Sequence, residues 1–345
     1  MEATALRSLR AAAQLLHRAE RLSAPQVVSR LLAVQAQDPR SARLALRART
    51  EDLTATDVDA ALTEERSLVV AWLQRGTLQL VTPDDLGWLL PLTAPIGLAT
   101  ARRRLGRLGV SEAAAERAVA IAGKALAAEG PLTRPELARR IAARGIPTEG
   151  QATPHLLRLA ALRGVAVLGP VSDGIHAFAH AEDWLGAKPA TELTGERRDT
   201  ALAELARRYL TAHAPATAED LAHHAGFPLR DARKGLGAIS PHEHVGGLLS
   251  LNSRAAPRER KPAPPRLLPA FDPYLLGWAD RSFAVPAEHA RKVHPGGGMI
   301  RATATVGGLA VGTWTLRGVE PFGKLTNAVM AALEAERAEV ERFAG

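Results

Sequence analysis

The ten residues Leu31–Arg40, LLAVQAQDPR, hold the most chemical content for their length. Pro39 disfavours helical backbone at Asp38, so a helix running in from Ser23 is expected to end here. On a regular helix Gln35 and Gln37 would point about 200° apart. On extended backbone at a helix end they share one side. Two neutral carboxamides on one side can orient a water molecule and set their oxygens against a developing positive charge, without either being ionised. Read without chemistry, the same pair is two solvated glutamines at a helix end. Asp38 stays open between a general base and a residue that shapes the turn before Pro39.

Other groupings fall short of a reaction centre. Gly318–Lys324 (GVEPFGK) has the spacing of a phosphate loop, but Leu325 stands where a hydroxyl must hold Mg²⁺, and Pro321 removes one cradling N–H. His242–Glu243–His244 and His223–His224 have no third ligand at metal-site spacing, and no metal is expected. Asp272, Asp280 and Arg281 read best as a satisfied buried ion pair holding two turns.

The elements that must position these residues are legible from helix starts. Ser23 is followed three residues later by Gln26, Thr133 by Glu136 and Thr217 by Asp220, each the pattern of a capping box. Pro25 and Pro135 stand in the first turn, where a missing N–H costs little. After Thr133 the pattern predicts a helix to Arg144, a break at Gly145–Pro147, a helix over Gln151–Arg163, and strands VAVLG and GIHAFAH around the turn Pro170–Gly174. After Thr217 the order repeats, with helices to His224 and over Leu229–Leu236, then HEHVGG and LLSLNS as a hairpin. Near the N-terminus a helix from Ser23 and another from about Thr56 precede the strands LVVAWL and TLQLVT around Gln74–Gly76. Helix, turn, helix, hairpin is the order of a winged helix. The expected fold is therefore α+β and mainly α. It has three tandem winged-helix units at 1–100, 110–190 and 195–260, then a small β-barrel-like sheet with a closing helix at 265–345. Arg254–Pro269 reads as a Pro-rich basic linker or surface loop. AFDPYLLGWADRSFAVP and the glycine-rich run after Pro295 read as short strands. Thr326–Phe343 reads as an amphipathic helix with Val329, Leu333 and Val340 on its apolar stripe.

Composition narrows the function classes. At 345 residues the chain needs more than one core. Cysteine is absent, which excludes disulfide scaffolds, thiol catalysis and iron–sulfur clusters and is compatible with the cytoplasm. No apolar run approaches the ~20 residues of a membrane span. The start, interrupted by Arg7, Arg10, Arg18 and Arg21, is expected to be an amphipathic helix rather than a signal peptide. Forty-four basic residues face 36 acidic ones, a net charge of +8, and nearly all of the basic ones are Arg. Guanidinium suits phosphate, because its planar fork bonds two oxygens at once. Aromatic content of 4% argues against stacked platforms for single-stranded nucleic acid.

Several segments carry a family resemblance. They are VQAQDPRSARLALRAR (34–49), RGTLQLVTPDDLGWLLP (75–91), GPLTRPELARRI (130–141), LLRLAALRGVAVLGP (156–170), YLTAHAPATAEDLAHHAG (209–226), LPAFDPYLLGWADR (268–281) and GLAVGTWTLR (308–317). Across nearly its whole length the chain resembles the bacterial winged-helix DNA glycosylases of the AlkZ/YcaQ-like group, which unhook interstrand crosslinks. The resemblance implies tandem winged helices around a concave DNA channel plus a small barrel. It places the group's glutamine–x–glutamine catalytic motif at Gln35 and Gln37. One departure is that the RGTL segment is commonly followed by His, whereas Gln79 stands here.

The activity so implied is monofunctional hydrolysis of the N-glycosidic bond of cationic N7-alkylguanine, with possible unhooking of crosslinks and no cofactor. Gln37 would position the water, and Gln35 would support it or the sugar. The expected partner is double-stranded DNA carrying alkylated purines, met by a monomer at the nucleoid. Arg158, Arg163, Arg230, Arg233 and Lys234, on second helices, are candidates for phosphate contacts. Arg40, Arg43 and Arg75, near the glutamines or the first hairpin, are further candidates. A reading from a different class is a non-catalytic winged-helix DNA-binding protein or transcriptional regulator, which the same scaffold would serve.

Overall fold

The computed structural model describes residues 2–172, 175–244, 246–251 and 262–345. It is α+β, about half helical, with several small sheets. The chain divides into two compact units, residues 59–201 and residues 1–58 with 202–345.

In the 59–201 unit, the strand Val69–Trp72 pairs antiparallel with Leu78–Val81 and, through Val70 opposite Leu168, with Ala166–Ser172. Ala166–Ser172 pairs in turn with Ile175–His180. The two hairpins read separately from sequence thus join into one run of strands. Residues 173–174 of the expected turn Pro170–Gly174 lie outside the described residues, and Pro170 itself is in a strand. The helix Ala152–Leu162 packs on Pro83–Arg107 and Glu112–Glu129, and its Leu156, Leu159 and Leu162 are buried with Val70, Leu80 and Phe178. Thr133 opens Arg134–Ala142 with the expected capping box, Glu136 accepting the Thr133 N–H at 2.7 Å. The 25-residue helix Pro83–Arg107 has no counterpart in the sequence reading. It runs through Pro91 and Pro95, which argue against an uninterrupted helix, yet Thr82 caps it, Pro83 stands in its first turn, and one face is buried along its length.

In the other unit, capping boxes at Ser23 and Thr217 start Ala24–Leu31 and Ala218–Ala225. The helix Leu229–Ile239 packs on the preceding one, and His242–His244 pairs with Leu248–Ser250. Its close helix contact is made at Gly235, where a Cβ would overlap the Leu202 carbonyl oxygen. The N-terminal segment is helical over Ala3–Ala13, but its Arg10 is buried. That guanidinium lies over the Trp278 and Phe283 rings, 3.7 Å from Asp220.

The C-terminal sheet corrects the barrel expectation. Its four antiparallel strands run in the order Gly318–Pro321, Leu309–Thr315, Thr303–Val306, Arg266–Leu268, and among the described residues the sheet is open. The outer edge of Arg266–Leu268 is occupied by side chains instead of a further strand. Arg47 donates to the Leu267 carbonyl at 3.0 Å, and Glu336 accepts the Leu267 N–H at 3.4 Å. An edge whose polar groups are met in this way has no donor left for closure. Glu336, from the closing helix Asn327–Ala344, is 6% exposed and faces Arg18, Arg47 and Arg266. Burial pulls the Arg266 guanidinium down to about 10, with Glu336 opposing the shift. Residues 254–261 of the expected linker lie outside the described residues, and the segment's end is this edge strand. AFDPYLLGW is not a strand either, because Asp272 caps a short helix, Pro273–Leu276.

Candidate functional site

The helix from Ser23 stops at Leu31, before the glutamines and seven residues short of Asp38, where Pro39 was expected to end it; Pro39 instead opens the next helix. The stop is made by Leu32, which has φ +72° and ψ −46° and is 1% exposed. A buried leucine in this region of backbone space costs about 1–3 kcal/mol and persists only where its surroundings impose it. The chain leaves Leu32 as the two-residue strand Val34–Gln35, bends at Gln37 and Asp38, and enters the helix Pro39–Arg47. Asp38 is the N-cap of that helix. Its carboxylate accepts the Ser41 N–H at 3.2 Å and the Ser41 hydroxyl. That accounts for Asp38 as the turn-shaping residue. Gln35 is 9% exposed, whereas Gln37 is exposed. The two amides therefore meet different surroundings, one held inside the fold and one reaching solvent between two fixed elements.

The basic residues divide between the units. Arg40 and Arg43 follow Gln37 on Pro39–Arg47. Arg40 is exposed and lines a cleft of about 530 Å³ together with Leu44, Trp314, Arg317 and Glu320. Arg230, Arg233 and Lys234 are all exposed on one face of Leu229–Ile239. Arg230 is 3.5 Å from Asp231, and Arg233 is 3.2 Å from Glu219. In the 59–201 unit, Arg75 is half-buried in the turn Gln74–Gly76 with φ +53°. Arg158 is half-buried against Gly76, and Arg163 pairs with Glu116.

The remaining groupings are structural. Gly318–Pro321 is a strand in register with Gly312–Thr315, so the residues that would cradle a phosphate are committed to a sheet. His244 Nε2 is 2.8 Å from Ser250 Oγ across its hairpin, and among the described residues no cluster of three His, Asp or Glu side chains could hold a metal. The buried acid of the Asp272–Asp280–Arg281 group is Asp272, but its partner is Arg49. Asp280 is exposed and accepts from Ser282, and Arg281 donates to the Leu275 carbonyl. Arg49 was missed as that partner because the two residues are far apart in sequence. Leu32 was missed because nothing in a leucine announces left-handed backbone. Gln79, in the position commonly held by His, is 4% exposed and donates to Thr77 Oγ1 at 2.7 Å. Among the described residues no helix is long and apolar enough to cross a membrane.

Comparison with known proteins adds three findings. The family model described as "DNA glycosylase AlkZ-like" matches residues 28–343. The chain is 30% identical to an interstrand DNA cross-link repair glycosylase of Streptomyces sahachiroi, over 94% of this chain and 91% of that protein. Its fold superposes on the DNA glycosylase AlkZ of Streptomyces sahachiroi with a TM-score of 0.77 and 26% identity, over 99% of this chain and 96% of that one. A match running from before the glutamine segment to the closing helix places the chain in the AlkZ-like DNA glycosylase family.

Proposed function

We propose that this protein is a monofunctional DNA glycosylase that hydrolyses the N-glycosidic bond of N7-alkylguanine and unhooks interstrand crosslinks joined through that atom. The observation that carries the reading is Gln35-Ala36-Gln37, set between strained Leu32 and the helix cap Asp38 in a member of a glycosylase family. The 30%-identical relative is named for crosslink repair, and that supports the same role here.

Alkylation at N7 makes guanine cationic. When the C1′–N9 bond breaks, the bonding electrons leave with the base and neutralise it, while positive charge grows on the sugar. Water adds to C1′, loses a proton and leaves an abasic site. The departing base needs no strong acid. What accelerates the step is a placed water and dipoles aimed at the growing charge. The exposed Gln37 positions the water, and the sheltered Gln35 supports it or the sugar. No metal or organic cofactor is required.

Three helix–turn–helix–hairpin segments, at 1–100, 110–190 and 195–260, act as DNA-binding winged helices, with 265–345 as a further module. The exposed or half-buried Arg40, Arg43, Arg75, Arg158, Arg163, Arg230, Arg233 and Lys234 meet backbone phosphates, and the protein works as a monomer on chromosomal duplex. The test is a duplex containing one N7-methylguanine, incubated with the protein and then heated in alkali. Strand breaks at the lesion are expected. Binding without breaks would instead mark a non-catalytic DNA-binding protein.

A further inference from the structure

Arg158 differs from the ion-paired cations of its unit in what surrounds it. Arg163 and Arg102 face Glu116, and Arg140 faces Glu129. Arg158 is half-buried and has neither a hydrogen bond nor an ion pair among the described residues, and its Nε is shut off from solvent with no acceptor. Burial lowers its pKa, and no acidic group opposes the shift. Its guanidinium lies against Gly76, where a Cβ would overlap Nη2 and stand 3.2 Å from Cζ. Gly76 has φ +68° and closes a turn in which Leu73 N–H donates to the Thr77 carbonyl. In that turn Gln74 is 2% exposed, with both carboxamide atoms unpartnered among the described residues. His155, one helical turn before Arg158, has a buried, unpartnered Nδ1, and its pKa is lowered by burial and then by Arg158 and Arg104.

A cation withdrawn from water with no counter-charge is costly in the free protein. Here it is held against the glycine that closes a turn, and the same turn carries Gln74, a second polar side chain left unsatisfied among the described residues. Such strain against local stability fits a site completed by an anion. We propose that Arg158 and the Gln74–Gly76 turn form a binding site for one phosphodiester oxyanion of a DNA backbone. The guanidinium supplies a bidentate fork, and Gly76, having no side chain, leaves room for that guanidinium. The inference rests on the DNA-binding part of the reading above and adds to it which cation is built for the contact.

The test is affinity for an undamaged duplex across salt concentrations, with N7-methylguanine excision by the unsubstituted protein measured in parallel. Arg158→Met should lower the slope of log Kd against log salt by about 0.9, the loss of one phosphate contact. Its thermal midpoint should match or exceed that of the unsubstituted protein. Arg117→Gln, which removes an exposed cation of the same unit, should change the slope by less than half as much. An unchanged slope for Arg158→Met, or an equal fall for Arg117→Gln, overturns the site. Should Arg158→Met not fold, Arg158→Lys decides: weaker binding at an unchanged slope supports the fork, and unchanged affinity overturns it. Inorganic phosphate that raises the thermal midpoint while the Arg158→Met slope stays unchanged marks a free-anion site and overturns the backbone contact. Normal excision with an unchanged slope overturns this site alone, whereas a lowered slope without excision overturns the enzyme reading alone.

Discussion

Arg49 and Asp272, 223 residues apart, form a two-pronged ion pair at 2.8 and 2.9 Å with neither side chain exposed. Arg49 also donates to the Ala45 carbonyl and to Gln14, which itself donates to the Ala212 carbonyl at 2.7 Å. Asp272 accepts the Tyr274 N–H at 2.8 Å. The pair therefore ties the helix Pro39–Arg47, which follows the glutamine segment, to the start of the C-terminal region. Asp272→Asn leaves a buried guanidinium without its counter-charge and should cost about 3–5 kcal/mol in denaturant unfolding. Arg49→Met combined with Asp272→Asn should cost less than Asp272→Asn alone, because no charge is then stranded. A larger loss in the double variant would refute that account.

If Gln35 and Gln37 act as proposed, their unequal exposure separates catalysis from stability. Gln37→Ala should lower single-turnover excision of N7-methylguanine by about 10²-fold or more. It should shift stability by no more than about 0.5 kcal/mol, because the side chain is exposed. Gln35→Ala should slow excision and also destabilise the fold by about 1–3 kcal/mol, since a sheltered polar side chain is removed from its setting. The double variant should excise nothing while keeping duplex affinity. Wild-type excision by the double variant would exclude both residues from the mechanism.

Two glycines in Leu229–Ile239 should respond in opposite directions. A Cβ at Gly235 would overlap the Leu202 carbonyl oxygen and stand 2.9 Å from its carbon, so Gly235→Ala must push two helices apart, at about 1–3 kcal/mol. Gly237 has nothing within 4 Å, so Gly237→Ala should stabilise by about 0.5–1 kcal/mol through helix propensity alone. Thermal unfolding of the two variants compares them directly.

Acid should weaken the fold in two stages. Burial, and then a neighbouring cation or imidazole, holds His155, His244 and His294 below the usual 6.5. Each is neutral in the fold but protonates near 6.5 when unfolded, so the unfolded chain takes up more protons between the two values. Their contribution is complete above about pH 6.5 and is lost as pH falls through the folded-state values. Hydrogen bonds from Ser282, Arg140, Thr133 and Arg342 hold Asp280, Glu129, Glu136 and Glu339 below the usual carboxylate range, so a second loss follows as pH falls through their lowered values. The thermal midpoint should be level from pH 8 to 7, fall from 6.5 to 5, and fall further below 4.5. A midpoint that rises between pH 7 and 5 would contradict the histidine assignment.

What the chain order determined by itself is local. Ser23, Thr133 and Thr217 cap helices because a hydroxyl and an acceptor three residues later meet within one turn, whatever surrounds them. The helix start at Asp38-Pro39, the hairpin at 69–81, the pairing of His242–His244 with Leu248–Ser250, and the closing helix depend on equally short-range preferences. The tertiary structure decided which partner each charged group met and where the edges fell. Asp272 sits beside Asp280 and Arg281 in sequence yet pairs with Arg49, because a buried carboxylate takes the cation that folding delivers rather than the one the chain supplies nearby. The C-terminal sheet stays open because Arg47 and Glu336, from opposite ends of the chain, satisfy its edge. Leu32 turns left-handed, and Arg158 rests on Gly76 without a counter-charge, because packing over long sequence separations can impose what no local preference would choose.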